Sequence, residues 1–161
     1  GIAKARRAIR HVAEGSRSPM ETMTFLLLCL PPRLGGFGLP KPELNATIEL
    51  SPEARRMAQR RYCMGDLCWP KQKLDIEYHG EVHANATRMR GDIGRVLGIE
   101  HMGWRVITVT GQQVLDPDRF EMVAKEAAKQ LRHRIHPRVI KNESPRWCLR
   151  DELQQWMLGS V

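Results

Sequence analysis

The segment GDLCWPKQKLDIEYHGEVH, from Gly65 to His83, reads as two short strands joined by a tight turn. Leu67, Cys68 and Trp69 are apolar and end the first strand, and Leu74 opens the second. Strand side chains alternate with period two, so Asp75, Glu77 and His79 share one face while Asp66 leaves the neighbouring strand. Acidic groups converging from adjacent strands, with histidines close by, form the donor set a hard divalent cation needs for phosphodiester hydrolysis. Asp75 and Glu77 on one face also repel each other unless a cation or a proton lies between them. Gly80 permits a bend or a close backbone approach where the strand ends.

Working upstream, Ser18, Pro19 and Glu21 have the spacing of a helix start, and the helix runs through Phe25–Leu30 until Pro31 and Pro32 stop it. Residues 31–43 read as an irregular loop and Leu44–Leu50 as a strand. Ser51, Pro52 and Glu53 open a short helix carrying Arg55, Arg56, Arg60 and Arg61. The hairpin strands span 62–69 and 73–79. Downstream, a helix over about Ala86–Met102 ends at Gly103, and Trp104–Thr110 is the clearest strand by its β-branched content. Thr110 and Gln113 have capping-box spacing, Asp116 and Pro117 open a helix to about His133, and Arg146–Leu158 forms a last helix. This order predicts an α/β fold: a mixed central sheet flanked by helices.

The 161 residues suit a single domain, with a core over about 18–135, a basic N-terminal helix within 1–17 and a C-terminal tail or helix over 136–161. The chain starts at Gly1 and is read as the C-terminal part of something longer, which leaves room for a fused upstream regulatory domain. Hydrophobic residues make up 42% and charged residues 27%, a globular balance and not a disordered one. The longest apolar run, Phe25–Leu30, is far too short for a bilayer, so no membrane partner is expected. Four cysteines without a secretory pattern read as reduced thiols in a bacterial-type cytoplasm. A net charge of +8 attracts polyanions, DNA above all, although a solvated basic surface accounts for it as well.

Several residues carry a structural reading beside the chemical one. A capping box would account for Glu21 in full. His79 and His83 are surface histidines or groups able to take a proton from water. Cys63 and Cys68 lie five apart on a strand, hence on opposite faces, and read as core thiols instead of zinc ligands. Arg88, Asp92 and Arg95 form one helical stripe, either a solvated ladder or a surface for phosphate. Gly91 and Gly94 each cost that helix about 1 kcal/mol against alanine, which predicts that a phosphate backbone or the hairpin comes close. Arg55, Arg56, Arg60, Arg61 and the stretch Lys125–Lys141 are phosphate contacts or solvated faces.

Asp66, Trp69 and Pro70, the run Leu74–Gly80 (LDIEYHG), His83, Arg90–Arg95 (RGDIGR) and Gly103–Thr110 (GWRVITVT) together resemble the very-short-patch-repair-like endonucleases of the PD-(D/E)xK nuclease superfamily. The resemblance covers roughly Ser18–Leu131. It implies a restriction-endonuclease-like core that cuts DNA with Mg²⁺ or Mn²⁺. Asp66 would be the motif aspartate, Glu77 the second acidic ligand and Glu21 the helix carboxylate, with Asp75 also at the metal. His79 stands at the superfamily lysine position, His83 matches the histidine after the glycine, and Asp92 and Arg95 match the charged pair on the next helix. The chain departs from the pattern in two places: Gly65, not proline, precedes Asp66, and His79 stands where relatives often have aspartate. The expected function is therefore a metal-dependent DNA endonuclease-like hydrolase, with a homodimer favoured if both strands are cut. The alternative is an inactive nuclease-like module that binds nucleic acid, of the kind fused to toxin–antitoxin-type regulators.

Overall fold

The computed structural model describes residues 15–80, 86–137 and 144–157. Helix α1 (Pro19–Cys29) starts where the Ser18 hydroxyl accepts the Glu21 amide, with Pro19 at the first helical position, and it stops at Leu30 before the two prolines. Strands β1 (Glu43–Glu49), β2 (Tyr62–Trp69), β3 (Leu74–His79) and β4 (Arg105–Thr110) form one four-stranded sheet in the order β1-β2-β3-β4. The first three strands are an antiparallel meander, and β4 lies parallel to β3. A parallel neighbour needs a crossover. Helix α3 (Ala86–His101) supplies it, and Gly103 turns the chain back at φ +79°.

The short helix α2 (Pro52–Ala58) joins β1 to β2, and α4 (Gly111–Leu115), α5 (Pro117–Gln130) and α6 (Ser144–Met157) follow β4. Helices cover both sheet faces. On one, Leu67, Leu74, Ile76 and Val109 pack against Met23 and Leu28 of α1 and Phe120 of α5. On the other, Ile48, Cys63 and Cys68 pack against Ala54 and Ala58 of α2 and Ile99 of α3. The fold is thus α/β with a mixed sheet between helices, as the element order predicts. Helix α6 is docked by two arginines: Arg146 lies 5.2 Å over the Phe37 ring, and Arg150 lies 5.1 Å over Phe120 while donating 2.6 Å to the Val114 carbonyl. Among the described residues no helix is long and apolar enough to cross a membrane.

Three local expectations are corrected. Helix α2 ends at Ala58, with Gln59 left-handed at φ +52°, so Arg60 and Arg61 lie in the turn before β2 and not on the helix. Cys63 and Cys68 share one core cluster instead of facing opposite ways. The cause is a skipped rung: β1 and β2 pair at Leu44↔Leu67 and again at Ala46↔Gly65, while Asn45 between them is left-handed at φ +48°. Leu44 and Leu67 belong to the first core, whereas Ala46, Ile48 and Cys63 belong to the second, so both strands change face at that point. Finally, what approaches the glycines of α3 is neither phosphate nor hairpin but α2. A Cβ on Gly94 would meet the Met57 carbonyl oxygen at 2.9 Å, and one on Gly98 the Ala54 carbonyl oxygen at 2.9 Å.

Candidate metal centre and nucleic-acid surface

Asp66 sits where the sheet opens. The β2–β3 ladder runs from Trp69↔Leu74 through Leu67↔Ile76. At the position that would continue it, the Asp66 carboxylate accepts the Tyr78 amide at 2.9 Å, a side chain standing in for backbone. Burial raises its pKa to about 6, against the pull of that amide, and the charges of Glu21 and Glu77 push the same way.

The change of face at Asn45 also anchors Glu21. Asn45 Nδ2 donates 2.7 Å to the Gly15 carbonyl and 3.0 Å to Glu21 Oε2, which also accepts the Arg17 amide at 2.8 Å. Only half of the predicted capping box is therefore present. Ser18 accepts the Glu21 amide at 3.1 Å, but the Glu21 carboxylate turns to Arg17 and Asn45, largely buried and close enough for its charge to reach Asp66.

Asp75 is wholly buried. Cys68 Sγ donates to Oδ1 at 3.4 Å, and Oδ2 has no hydrogen-bond partner among the described residues. Its carboxyl fills the space a side chain at Gly65 would take, since a Cβ there would lie 2.6 Å from both oxygens. Burial first, then the neighbouring Glu77, holds the Asp75 pKa far above the carboxylate range. As the neutral acid it carries an O–H to give to Glu77, which resolves the orphaned oxygen.

Glu77 is buried on the same sheet face, and both its oxygens are held by Arg95, Nη1 to Oε1 and Nη2 to Oε2. The fork is nearly dry, with side-chain exposures of 12% for Arg95 and 8% for Glu77. The hydrogen bonds from Glu77, opposed by desolvation, keep the guanidinium firmly charged. Removing one partner of such a pair costs about 3–5 kcal/mol, because the other charge stays buried alone. Arg95 thus leaves the expected helical stripe and reaches down onto the sheet. Arg88 and Asp92 fall within α3, but their side chains lie outside the described residues, as does His83. His79 ends β3 on the face of Asp75 and Glu77 and is exposed.

The donors are all oxygen, which suits a hard cation, and the orphaned Asp75 Oδ2 lies among them. Yet Glu77 is closed by Arg95, and among the described residues no three His, Cys, Asp or Glu side chains stand close enough to hold a metal ion. The carboxylates gather in one region without forming a ready cage.

Cationic groups lie in two other places. Arg55 donates to the Leu50 carbonyl at 2.8 Å, Arg56 pairs with Glu53 at 3.4 Å, and Arg60 and Arg61 are exposed beside them. A cleft of about 700 Å³ beyond the hairpin turn is lined by Lys71, Lys73, Lys129 and Arg132, with no acidic residue among the described residues that line it. Within the basic stretch, Lys125 is tied to Glu121 at 2.8 Å. The cleft escapes sequence reasoning because its residues are far apart in the chain. Asn45 and Gly65 did leave signals: an asparagine inside a strand pattern, which tolerates left-handed backbone, and a glycine inside a strand, which marks close approach.

No family model, curated protein or solved structure matches the chain.

Proposed function

We propose that the chain is a restriction-endonuclease-like domain that binds DNA and hydrolyses its phosphodiester bonds with Mg²⁺ or Mn²⁺. The observation that carries this reading is the gathering of Asp66, Asp75, Glu77 and Glu21 from two strands and a helix start, within electrostatic reach of one another, in a protein of net charge +8. Asp66 and Glu77, assisted by Asp75 or Glu21, are the residues that would hold the ion. When bound, it would acidify a water and stabilise charge on the scissile phosphate. The exposed His79, on the same face, is the nearby group able to take a proton from that water at neutral pH. Arg56, Arg60 and Arg61 supply phosphate contacts from α2 and the turn after it.

A second reading has its own support. Because Arg95 already neutralises Glu77, the same scaffold can serve as a nucleic-acid-binding or regulatory module that does not cut. Incubation of supercoiled, linear and single-stranded DNA with Mg²⁺ and with Mn²⁺ separates the two. Cleavage lost in Asp66→Asn and in Glu77→Gln supports the nuclease. Binding that weakens steeply with salt, ignores chelator and leaves every substrate intact supports the module.

A further inference from the structure

We infer that Arg95 is the resident cation of the carboxylate centre, and that it exchanges Glu77 for a nucleic-acid phosphate when a divalent ion enters. The inference deepens the nuclease reading and rests on it. Three observations lead to it. Both Glu77 oxygens are held by one guanidinium, so a metal ion and Arg95 cannot use them together. The pair is nearly dry, so neither charge is left to water as a substitute partner. The adjoining Asp75 Oδ2 is buried without a partner among the described residues, so the centre has an acceptor that Arg95 does not satisfy.

A planar fork that fits a carboxylate also fits a phosphate. Arg95 released from Glu77 needs a new anion, and a phosphate drawn to this basic protein offers one. The ion and the nucleic acid then assist each other: phosphate takes the arginine and frees Glu77, and the ion takes Glu77 and frees the arginine. Such coupling is reciprocal by linkage. It makes Arg95 the residue that keeps the centre closed to cations until a phosphate arrives.

Calorimetric titration of MnCl2 into the full chain, with and without a short DNA duplex, tests this at 4 °C, with duplex integrity checked afterwards on a gel. In the wild type the duplex is expected to tighten Mn²⁺ binding about tenfold or more, roughly 1.4 kcal/mol. In Arg95→Ala, Mn²⁺ is expected to bind tightly without DNA and to gain little from it. If Arg95→Ala does not fold, Arg95→Lys, which keeps the charge but not the fork, is expected to fall between the two. Wild-type Mn²⁺ binding that is tight without DNA, and equal or weaker in the variant, overturns the exchange while leaving the metal centre standing. Absence of Mn²⁺ binding in both proteins, with DNA and without, overturns the metal centre and the exchange with it.

Discussion

Asp66 and Asp75 keep their protons to a higher pH in the folded chain than they would unfolded, so both make stability depend on pH with the same sign. For a carboxylate whose folded pKa is raised, the contribution is full below the unfolded value near 4 and is lost as pH rises through the folded value. For Asp66 that window runs from roughly pH 4 to about 6. For Asp75, more deeply buried and set against Glu77, the loss continues to higher pH. Thermal melts in chelated buffer across this range are expected to show Asp66→Asn flattening the pH 4–6 portion and Asp75→Asn flattening the portion above it. Matching pH profiles for wild type and Asp75→Asn would show that Asp75 does not hold its proton. Asn at either position keeps the shape, and at 66 it keeps an acceptor for the Tyr78 amide. The chain spelled out these carboxylates and their shared face. It gave no sign of the Arg95 fork, because the partners lie eighteen residues apart on different elements, and helical spacing linked Arg95 to Arg88 and Asp92 instead.

Helices α2 and α3 meet through glycine. Propensity alone favours alanine at either glycine by about 1 kcal/mol. At Gly98, however, the added methyl would meet the Ala54 carbonyl oxygen at 2.9 Å and the Ala58 Cβ at 3.2 Å, in a packed interface. Overpacking of that kind costs about 1–3 kcal/mol, so Gly98→Ala is expected to lower the melting temperature, against the sign propensity gives. Urea melts check the size, and a stabilised Gly98→Ala would show that the two helices can part without loss. The elements themselves were legible in the chain to within a residue or two, because caps, prolines and β-branched runs act locally. The change of face at Asn45 was not, because period-two reasoning assumes an unbroken strand. A single left-handed residue resets the phase and brought Cys63 and Cys68 to one side.

At the scale of the whole molecule the acidic centre is embedded in a cationic shell. Two clusters are set apart in it, the exposed arginines around α2 and the cleft lined by Lys71, Lys73, Lys129 and Arg132. Removing one side chain that neutralises a phosphate should lower the slope of log affinity against log salt by about 0.9 for duplex DNA. Arg56→Ala/Arg60→Ala/Arg61→Ala is expected to reduce DNA affinity and flatten that slope. Lys71→Ala/Lys129→Ala/Arg132→Ala shows by the same measurement whether the far cleft takes part. Unchanged slopes in both triple variants would move the DNA-binding surface elsewhere. Net charge was readable from composition, whereas its division into two clusters comes from tertiary folding alone.

The four cysteines, all free, give this protein an internal set of reporters. Cys148 is exposed on α6, Cys29 is half-covered with its thiol toward the Pro40 carbonyl, and Cys63 and Cys68 are buried. Burial also pushes the Cys68 thiol well away from its reactive thiolate form, and Asp75 beside it adds to this. A thiol reagent should therefore mark Cys148 within the mixing time and Cys68 only when the sheet lifts off α2 and α3. Because Cys68 touches the carboxyl of Asp75, its labelling rate, followed by mass spectrometry, clocks how often the carboxylate centre opens. A ligand that binds there should slow that clock before any product is made.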